Sequence, residues 1–404
     1  MDRRTFLKGL VGGTIVAGQG LLVPRSLTGG ELPIGAVESA AWGILPGKEP
    51  LIKCTFRPPN FETPVSAFGD VITPNEQFFV RWHLAHIPQM AAETWRLRVG
   101  GESVEHPYEL TLDQLKQDFE PVELVAVCQC AGNRRGFSEP HVPGVQWGAG
   151  AMGNARWKGA RLRDVLTRAG LKADALEIVF DGADDGVIDE TPDFIKSLPL
   201  WKALDENTLI AYEMNGEALP HANGFPVRLV VPGWTGTYWV KQLISISAVP
   251  KPEMGFWMSR AYRIPKDKFP GAERFPSQEA ETDAPITDIL VNSLITNIED
   301  GQRLTAGEPT MVKGIAWDGG HGIRTVDVSV NGGRTWESAR LERDYGCFSF
   351  RAWHHTFTPR GGGEYRLMAR ATDRQGRTQP FKLVFNRAGY HNNVVQRIHV
   401  EITP

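Results

Sequence analysis

Two patterns in the 404-residue sequence predict an α+β domain followed by an immunoglobulin-like β-sandwich. As far as about residue 264, short strand-like runs alternate with short helical ones, the mixture of an α+β fold. From Ile286 onward the chain reads as short alternating strands separated by turns, including Asn331-Gly332-Gly333 and Gly361-Gly362-Gly363, which is sandwich patterning. Between the two, Pro265 to Pro285 is polar and proline-bearing and reads as a linker. The expected division is 1–40 as a targeting segment, 41–280 as the first domain and 281–404 as the second.

The elements follow in order. Asp2-Arg3-Arg4-Thr5-Phe6-Leu7-Lys8 is a twin-arginine box, and Gly9 to Val23 after it is weakly apolar and glycine-interrupted, too short to remain as a membrane anchor. This predicts export to the periplasm of an already folded protein, with no membrane span after processing. Residues 42–80 are rich in proline, which prevents long helices. They lead into Gln77 to Leu84, a strand-like run that places Arg81 and His83 on one face. Trp95 to Val99 reads as a strand, and Leu110 to Leu115 as a helix start capped by Thr111. After a glycine-rich stretch from Gly144 to Gly159, Leu162 to Ala169 has helical spacing and Gly170 ends it. Leu176 to Phe180 is a strand that runs into an acidic turn at Asp181 to Gly186, and Leu209 to Met214 with Phe225 to Val231 reads as a strand pair. In the sandwich the strands are placed at Ile286 to Leu290, Pro309 to Ala316, Thr325 to Val330, Phe348 to Phe357, Glu364 to Thr372 and Val394 to Ile402.

With 44 basic and 47 acidic side chains the net charge is −3, so no global field points to nucleic acid or a membrane surface. Four cysteines are too few for a disulfide scaffold in an exported chain of this size. Cys128 and Cys130, two apart at the end of the apolar run from Leu124, are badly placed to bridge each other. A cysteine on such a run is usually a small core residue. Here Gly132-Asn133-Arg134-Arg135 follows at once, which places guanidinium forks suited to oxyanions beside a soft metal ligand. Arg228 and Lys241 are cations inside apolar runs, and buried cations require anions. Together with Arg81, His83, Arg134 and Arg135 they describe an anion-seeking centre. Asp184 is either a solvated turn residue or an acceptor for ring N–H groups of a heterocycle.

Several phrases then resemble one family. They are Cys130-Ala131-Gly132-Asn133-Arg134-Arg135, Phe78-Phe79-Val80-Arg81-Trp82-His83-Leu84, Ala211-Tyr212-Glu213-Met214-Asn215-Gly216-Glu217, and Gly224-Phe225-Pro226-Val227-Arg228-Leu229-Val230-Val231-Pro232-Gly233. All look like the sulfite oxidase family of molybdopterin enzymes, and finer phrases around Met152 and Trp234 are most similar to its bacterial periplasmic sulfite dehydrogenases. The Val330 to Gly333 phrase with Trp336 is similar to that family's dimerisation domain. The resemblance covers nearly everything after residue 45 and implies a sulfite-oxidase-type molybdopterin domain followed by a dimerising sandwich.

The resemblance also implies roles. Cys130 would be the sulfur ligand to molybdenum; His83, Asp184, Arg228 and Lys241 would hold the molybdopterin; Cys128 would pack beneath. Arg81 would face the substrate oxyanion, Tyr262 would be a hydrogen-bond donor at the reacting centre, and Arg135 would be a cation of the substrate pocket or of the layer just behind it. Asn223 stands where animal relatives have histidine. Asn392 stands where relatives commonly place an arginine, which leaves Arg387 or His391 as substitutes. The implied reaction is oxidation of sulfite to sulfate, with electrons leaving singly to an external c-type cytochrome, because the chain has no haem or flavin motif. The alternatives are a related molybdenum enzyme acting on sulfane sulfur or reducing sulfoxides, and a non-enzymatic exported binding module. A homodimer through the C-terminal domain is expected.

Overall fold

The computed structural model describes residues 42–404, so the twin-arginine segment lies outside the described residues. Strand is the commonest regular structure of the described chain. Among these residues α-helix is confined to Leu112–Gln117, Leu162–Ala169 and two single turns, Leu200–Ala203 and Phe256–Ser259.

The first sheet to consider carries the cysteines. Strand Pro121–Gln129 pairs antiparallel with Met152–Arg161, placing Cys128 opposite Gly153, and Leu209–Met214 continues the sheet on the far side. Arg228–Val230 then adds to Leu209–Met214, so the buried cation Arg228 is delivered by a strand. A second, five-stranded sheet runs Lys196–Pro199, Glu177–Gly182, Leu243–Val249, Leu97–Gly100, Tyr108–Leu110. A small N-terminal sheet ends at Val80–Arg81. Together these bury one large cluster that includes Phe78, Trp157, Leu162, Ile210, Leu229 and Trp239.

The local chemistry explains where elements start and stop. Thr111 and Gln114 form a reciprocal capping box at the helix start, and Gly170, at φ 69°, ends the second helix in the left-handed region that glycine adopts without strain. The predicted strand from Gln77 to Leu84 is reduced to Val80–Arg81. It stops because Asn60 Oδ1 accepts from both the Arg81 guanidinium and the Trp82 N–H, at 3.1 Å each, which turns the chain out of the ladder. The glycine-rich stretch, to which the sequence assigned no element, carries most of the longest strand of the first region, Met152–Arg161. Gly153 is required there, since a Cβ would lie 2.4 Å from the Phe78 ring.

The predicted linker is also folded. Arg263–Pro265 pairs with Asp283–Pro285, closing the segment into a loop whose Phe269 and Phe275 are buried. Gln278 and Ser277 reach the carboxylate of Glu177, which is fully buried and also accepts from Ser197 Oγ and the Glu253 N–H. Polar composition here satisfies a buried carboxylate. Glu177→Gln would turn an N–H donor toward those donors and cost about 1–3 kcal/mol. Thermal or denaturant unfolding of the variant checks this, and an unchanged midpoint would contradict it.

The C-terminal region is a sandwich. Asn292–Ile295, Thr310–Trp317, Arg351–Phe357 and Arg340–Leu341 form one sheet; Gln302–Thr305, Gln396–Thr403, Gly363–Asp373, Ile323–Ser329 and Glu337–Ser338 form the other. Alternating burial along Gln396–Thr403 supplies Ile398, Val400 and Ile402 to a core shared with Val312, Val326, Trp353 and Leu367. The first sandwich strand begins at Asn292 rather than Ile286, because Ile286, Thr287 and Asp288 instead bond back to Tyr262, Glu273 and Thr235. Val127, Met152, Ile315, Trp317 and Phe350 form a separate apolar seam joining the cysteine-bearing sheet to the sandwich. No helix among the described residues is long and apolar enough to cross a membrane.

Candidate active site

The cysteine strand ends where its ladder gives way to a turn. Cys130 N–H still donates across to Ala151 at 2.9 Å, and Asn133 N–H closes back on Cys130 at 2.9 Å. Arg134 then takes φ 67°, unusual for a residue with a side chain, and Gly132 cannot carry a Cβ because the Arg135 guanidinium lies 2.5 Å from where it would be. The turn therefore holds Cys130 at the end of the sheet and sends both arginines away from it.

Cys130 opens into a cleft lined also by Arg81, His83, Cys128, Asp184, Asn223, Arg228, Thr237, Lys241 and Tyr262. These come from five separate stretches of sequence. The cleft is a partly enclosed concavity, the shape in which small molecules bind. Among its lining are three fixed or potential cations, Arg81, Arg228 and Lys241, against one carboxylate, Asp184. The surplus is positive in a net acidic protein.

Each charge is held by neutral partners. Arg228 donates to the carbonyls of Asn223 at 2.9 Å and Trp239 at 3.0 Å and lies 3.9 Å from Cys128 Sγ. Lys241 Nζ donates to the Arg81 carbonyl at 2.9 Å and sits 3.0 Å from the centre of the Trp82 ring. Burial pulls Lys241 well below the ordinary lysine range, opposed by Asp184, while burial pushes Asp184 up to about 6, opposed by Lys241. The Cys128 thiol is pushed up to about 11 by burial, so it remains protonated and packs against Gly236 and Arg228.

His83 and Tyr262 form a hydrogen-bonded pair between imidazole Nε2 and phenol oxygen. Burial, then Arg81, Lys241 and Lys196, hold His83 well below its usual value, and burial raises Tyr262. At neutral pH the pair is an uncharged imidazole accepting from an intact phenol. Phe194 stacks on His83 at 3.7 Å, Trp257 meets both rings edge-on, and Tyr390 stacks on Tyr262 at 5.5 Å. Tyr262 holds φ 58°, a left-handed conformation that this surrounding packing fixes.

Seven of the eight residues singled out from the sequence thus converge: Arg81, His83, Cys130, Asp184, Arg228, Lys241 and Tyr262. Arg135 does not line the cleft. Its guanidinium donates to Ala388 O at 2.8 Å and Val145 O at 3.1 Å and lies 5.2 Å from the Tyr390 ring, so it stands behind the aromatic wall. Arg134 reaches Asn292 Oδ1 at 3.0 Å, tying the turn to the sandwich. Asn392, at the position of the missing arginine, and its two candidate substitutes are also outside the lining. Asn392 donates to Arg134 O at 3.0 Å, His391 is buried beside Phe269 and pulled down to about 3 by burial, and Arg387 is exposed.

Sequence reasoning missed Lys48 and Lys196. Lys48 is buried against the carbonyls of Asn75 and Phe78 and holds the Asn223 side chain. Lys196 sits in an apolar run, Phe194-Ile195-Lys196-Ser197-Leu198, the same signal that identified Arg228 and Lys241.

The donor set suits an anionic heterocycle bearing a phosphate and a thiophilic metal. A cysteine is available, cations outnumber carboxylates, and Arg228 Nε and Thr237 Oγ1 are buried without a hydrogen-bond partner. Such orphaned donors inside a cleft are accounted for by a bound acceptor.

Comparison with known proteins agrees. Residues 83–257 match the family model described as oxidoreductase molybdopterin binding domain, and residues 283–403 match that of the Mo-co oxidoreductase dimerisation domain. The chain is 36% identical over 375 residues to the mitochondrial sulfite oxidase of Homo sapiens, covering 89% of this chain and 67% of that one. It is 35% identical over 339 residues to the sulfite oxidase of Gallus gallus, covering 80% and 72%. The chain thus spans about two thirds of the length of these relatives. Among solved structures, the sulfane dehydrogenase SoxCD from Paracoccus pantotrophus superposes with a TM-score of 0.71 at 26% identity, covering 95% of this chain and 93% of that one.

Proposed function

The chain belongs to the sulfite oxidase family of molybdopterin oxidoreductases, and from that premise we propose that it oxidises sulfite to sulfate as an exported sulfite dehydrogenase. In the net reaction sulfite gains one oxygen atom from water, releasing two electrons and two protons. The observation that carries the reading is the cleft itself, where the Cys130 thiol stands with three cations against one carboxylate and the buried donors Arg228 Nε and Thr237 Oγ1 have no partner.

The molybdenum of the bound cofactor supplies oxygen-atom transfer and takes up the electron pair. Cys130 would ligate the metal. Arg228 and Lys241 would hold the phosphate and pterin, with the Thr237 hydroxyl and the Asp184 carboxylate completing the polar contacts. Arg81, at the end of its strand, would grip the sulfite oxygens, since a guanidinium meets an oxyanion with two parallel donors. His83 fixes the Tyr262 phenol so that a neutral donor faces the reacting centre without adding charge. The aromatic wall of Phe194, Trp257 and Tyr390 limits water around that donor.

Electrons would leave one at a time to a separate c-type cytochrome, and the sandwich would pair two copies into a homodimer. The twin-arginine box supports export to the periplasm. The likeness to a sulfane dehydrogenase favours a second reading, oxidation of sulfane sulfur in the same cleft. Turnover by the molybdenum-loaded protein with sulfite against thiosulfate separates them. Sulfite is expected to have the larger kcat/KM, and turnover with the sulfane substrate alone would replace the first reading with the second.

A further inference from the structure

Lys196 is a buried charge that the proposed roles leave unused. It is 1% exposed on strand Lys196–Pro199 and has no carboxylate partner among the described residues. Glu177, on the neighbouring strand, is already occupied by Ser197, Ser277, Gln278 and the Glu253 N–H. The ammonium donates to the Trp257 carbonyl at 2.7 Å and otherwise faces two rings, with centres 4.7 Å away for Tyr238 and 5.2 Å for Tyr262. Ring faces offset part of the desolvation of a cation, and a carbonyl offsets a little more. Neither supplies a counter-charge. Tyr262 also carries the phenol that meets His83 in the cleft, so Lys196 stands one side chain behind the cleft lining.

We propose that Lys196 is a positioning residue of the anion site: its charge, set behind the Tyr262 ring, strengthens binding of a divalent oxyanion in the cleft. This rests on the reading of the cleft as the sulfite site. Through a single ring in a low-dielectric wall, one elementary charge changes the affinity for a divalent anion by roughly tenfold.

The surroundings make that contribution depend on pH. Burial first, and Arg263 next, pull Lys196 down to about 7. The groups facing it do not change charge in that range. Burial raises Tyr238 and Tyr262, His83 is held well below its usual value, and Arg263 is paired with Asp283. The Lys196 charge is therefore present below about pH 7 and lost above it, and anion affinity falls as pH rises through that value. Asp184 and Lys241, across the cleft, are unchanged in Lys196 variants, so their titration cancels in the comparison.

Sulfate is a suitable probe because its charge is constant over this range. Calorimetric titration of the cofactor-loaded protein with sulfate at pH 6.0 and 8.5 should show roughly tenfold weaker binding by Lys196→Gln than by wild type at pH 6.0. That difference should shrink at pH 8.5. Lys196→Arg should restore the affinity and keep it at the higher pH. Equal affinity of wild type and Lys196→Gln at pH 6.0 would overturn the proposal, as would a loss in Lys196→Gln of the same size at both pH values, which marks a structural role. Binding is measured without turnover, so a protein that binds sulfate through Lys196 but fails to oxidise sulfite refutes the functional reading and not this one.

Discussion

Cys130→Ser is expected to abolish sulfite oxidation while the pterin remains bound. The hydroxyl is a poor ligand for a thiophilic metal, and activity should fall by more than about 100-fold, beyond the loss typical when only an outer-shell contact is removed. Retention of the pterin follows from the other anchors. Arg228 and Lys241 are fixed by backbone carbonyls of residues 223, 239 and 81, none of which depends on the thiol. Pterin released from the purified variant and quantified by its fluorescence checks this half of the expectation. Cys128→Ser is the matched control. Its thiol is held protonated by burial and lies against Arg228, so that variant should keep most of its activity. If Cys128→Ser were inactive and Cys130→Ser active, the two thiols would have to exchange roles.

Arg81→Gln is expected to raise the KM for sulfite by one to two orders of magnitude and to change kcat less. A charge-assisted hydrogen bond contributes about 1.5–3 kcal/mol, which corresponds to roughly ten- to a hundredfold in affinity. The guanidinium is held by Asn60 Oδ1 and the Trp82 carbonyl, so it is already oriented before substrate arrives. The variant should leave the cofactor contacts intact, because Lys241 bonds to the backbone carbonyl of residue 81 and not to its side chain. Steady-state kinetics with sulfite decides it. An unchanged KM would remove Arg81 from the substrate pocket.

Much of this site was legible because its residues contradict their surroundings. Arg228 and Lys241 are cations in apolar runs, and the structure places both in the cleft with Cys130. Arg81 and His83 were paired by strand alternation. Both do reach the cleft, although the strand ends at Arg81, since the Asn60 side chain captures the next N–H. Arg135 shows the limit of that reasoning. Adjacency in sequence suggested that it shares the site of Cys130, but the left-handed Arg134 and the bare Gly132 rotate it behind Tyr390.

The fold was readable where period and punctuation agreed, as in Leu162–Ala169 with its terminal Gly170 and in the alternating strand Gln396–Thr403. It was misread where composition carried a second meaning. The glycines of Met152–Arg161 serve close packing, with Gly153 beneath Phe78, and the polar run after Pro265 supplies donors to buried Glu177. Lys196 went unnoticed although it meets the criterion that found its neighbours, because no resemblance drew attention to it.

The most direct test of the central claim combines two readings on one preparation. The protein is produced together with molybdenum-cofactor synthesis, its molybdenum content is measured, and sulfite-dependent reduction of cytochrome c is followed. About one molybdenum per chain, with sulfite-dependent reduction that disappears in Cys130→Ser, is the expected result. Molybdenum-free protein, or fully loaded protein that reduces no acceptor with sulfite, would contradict it.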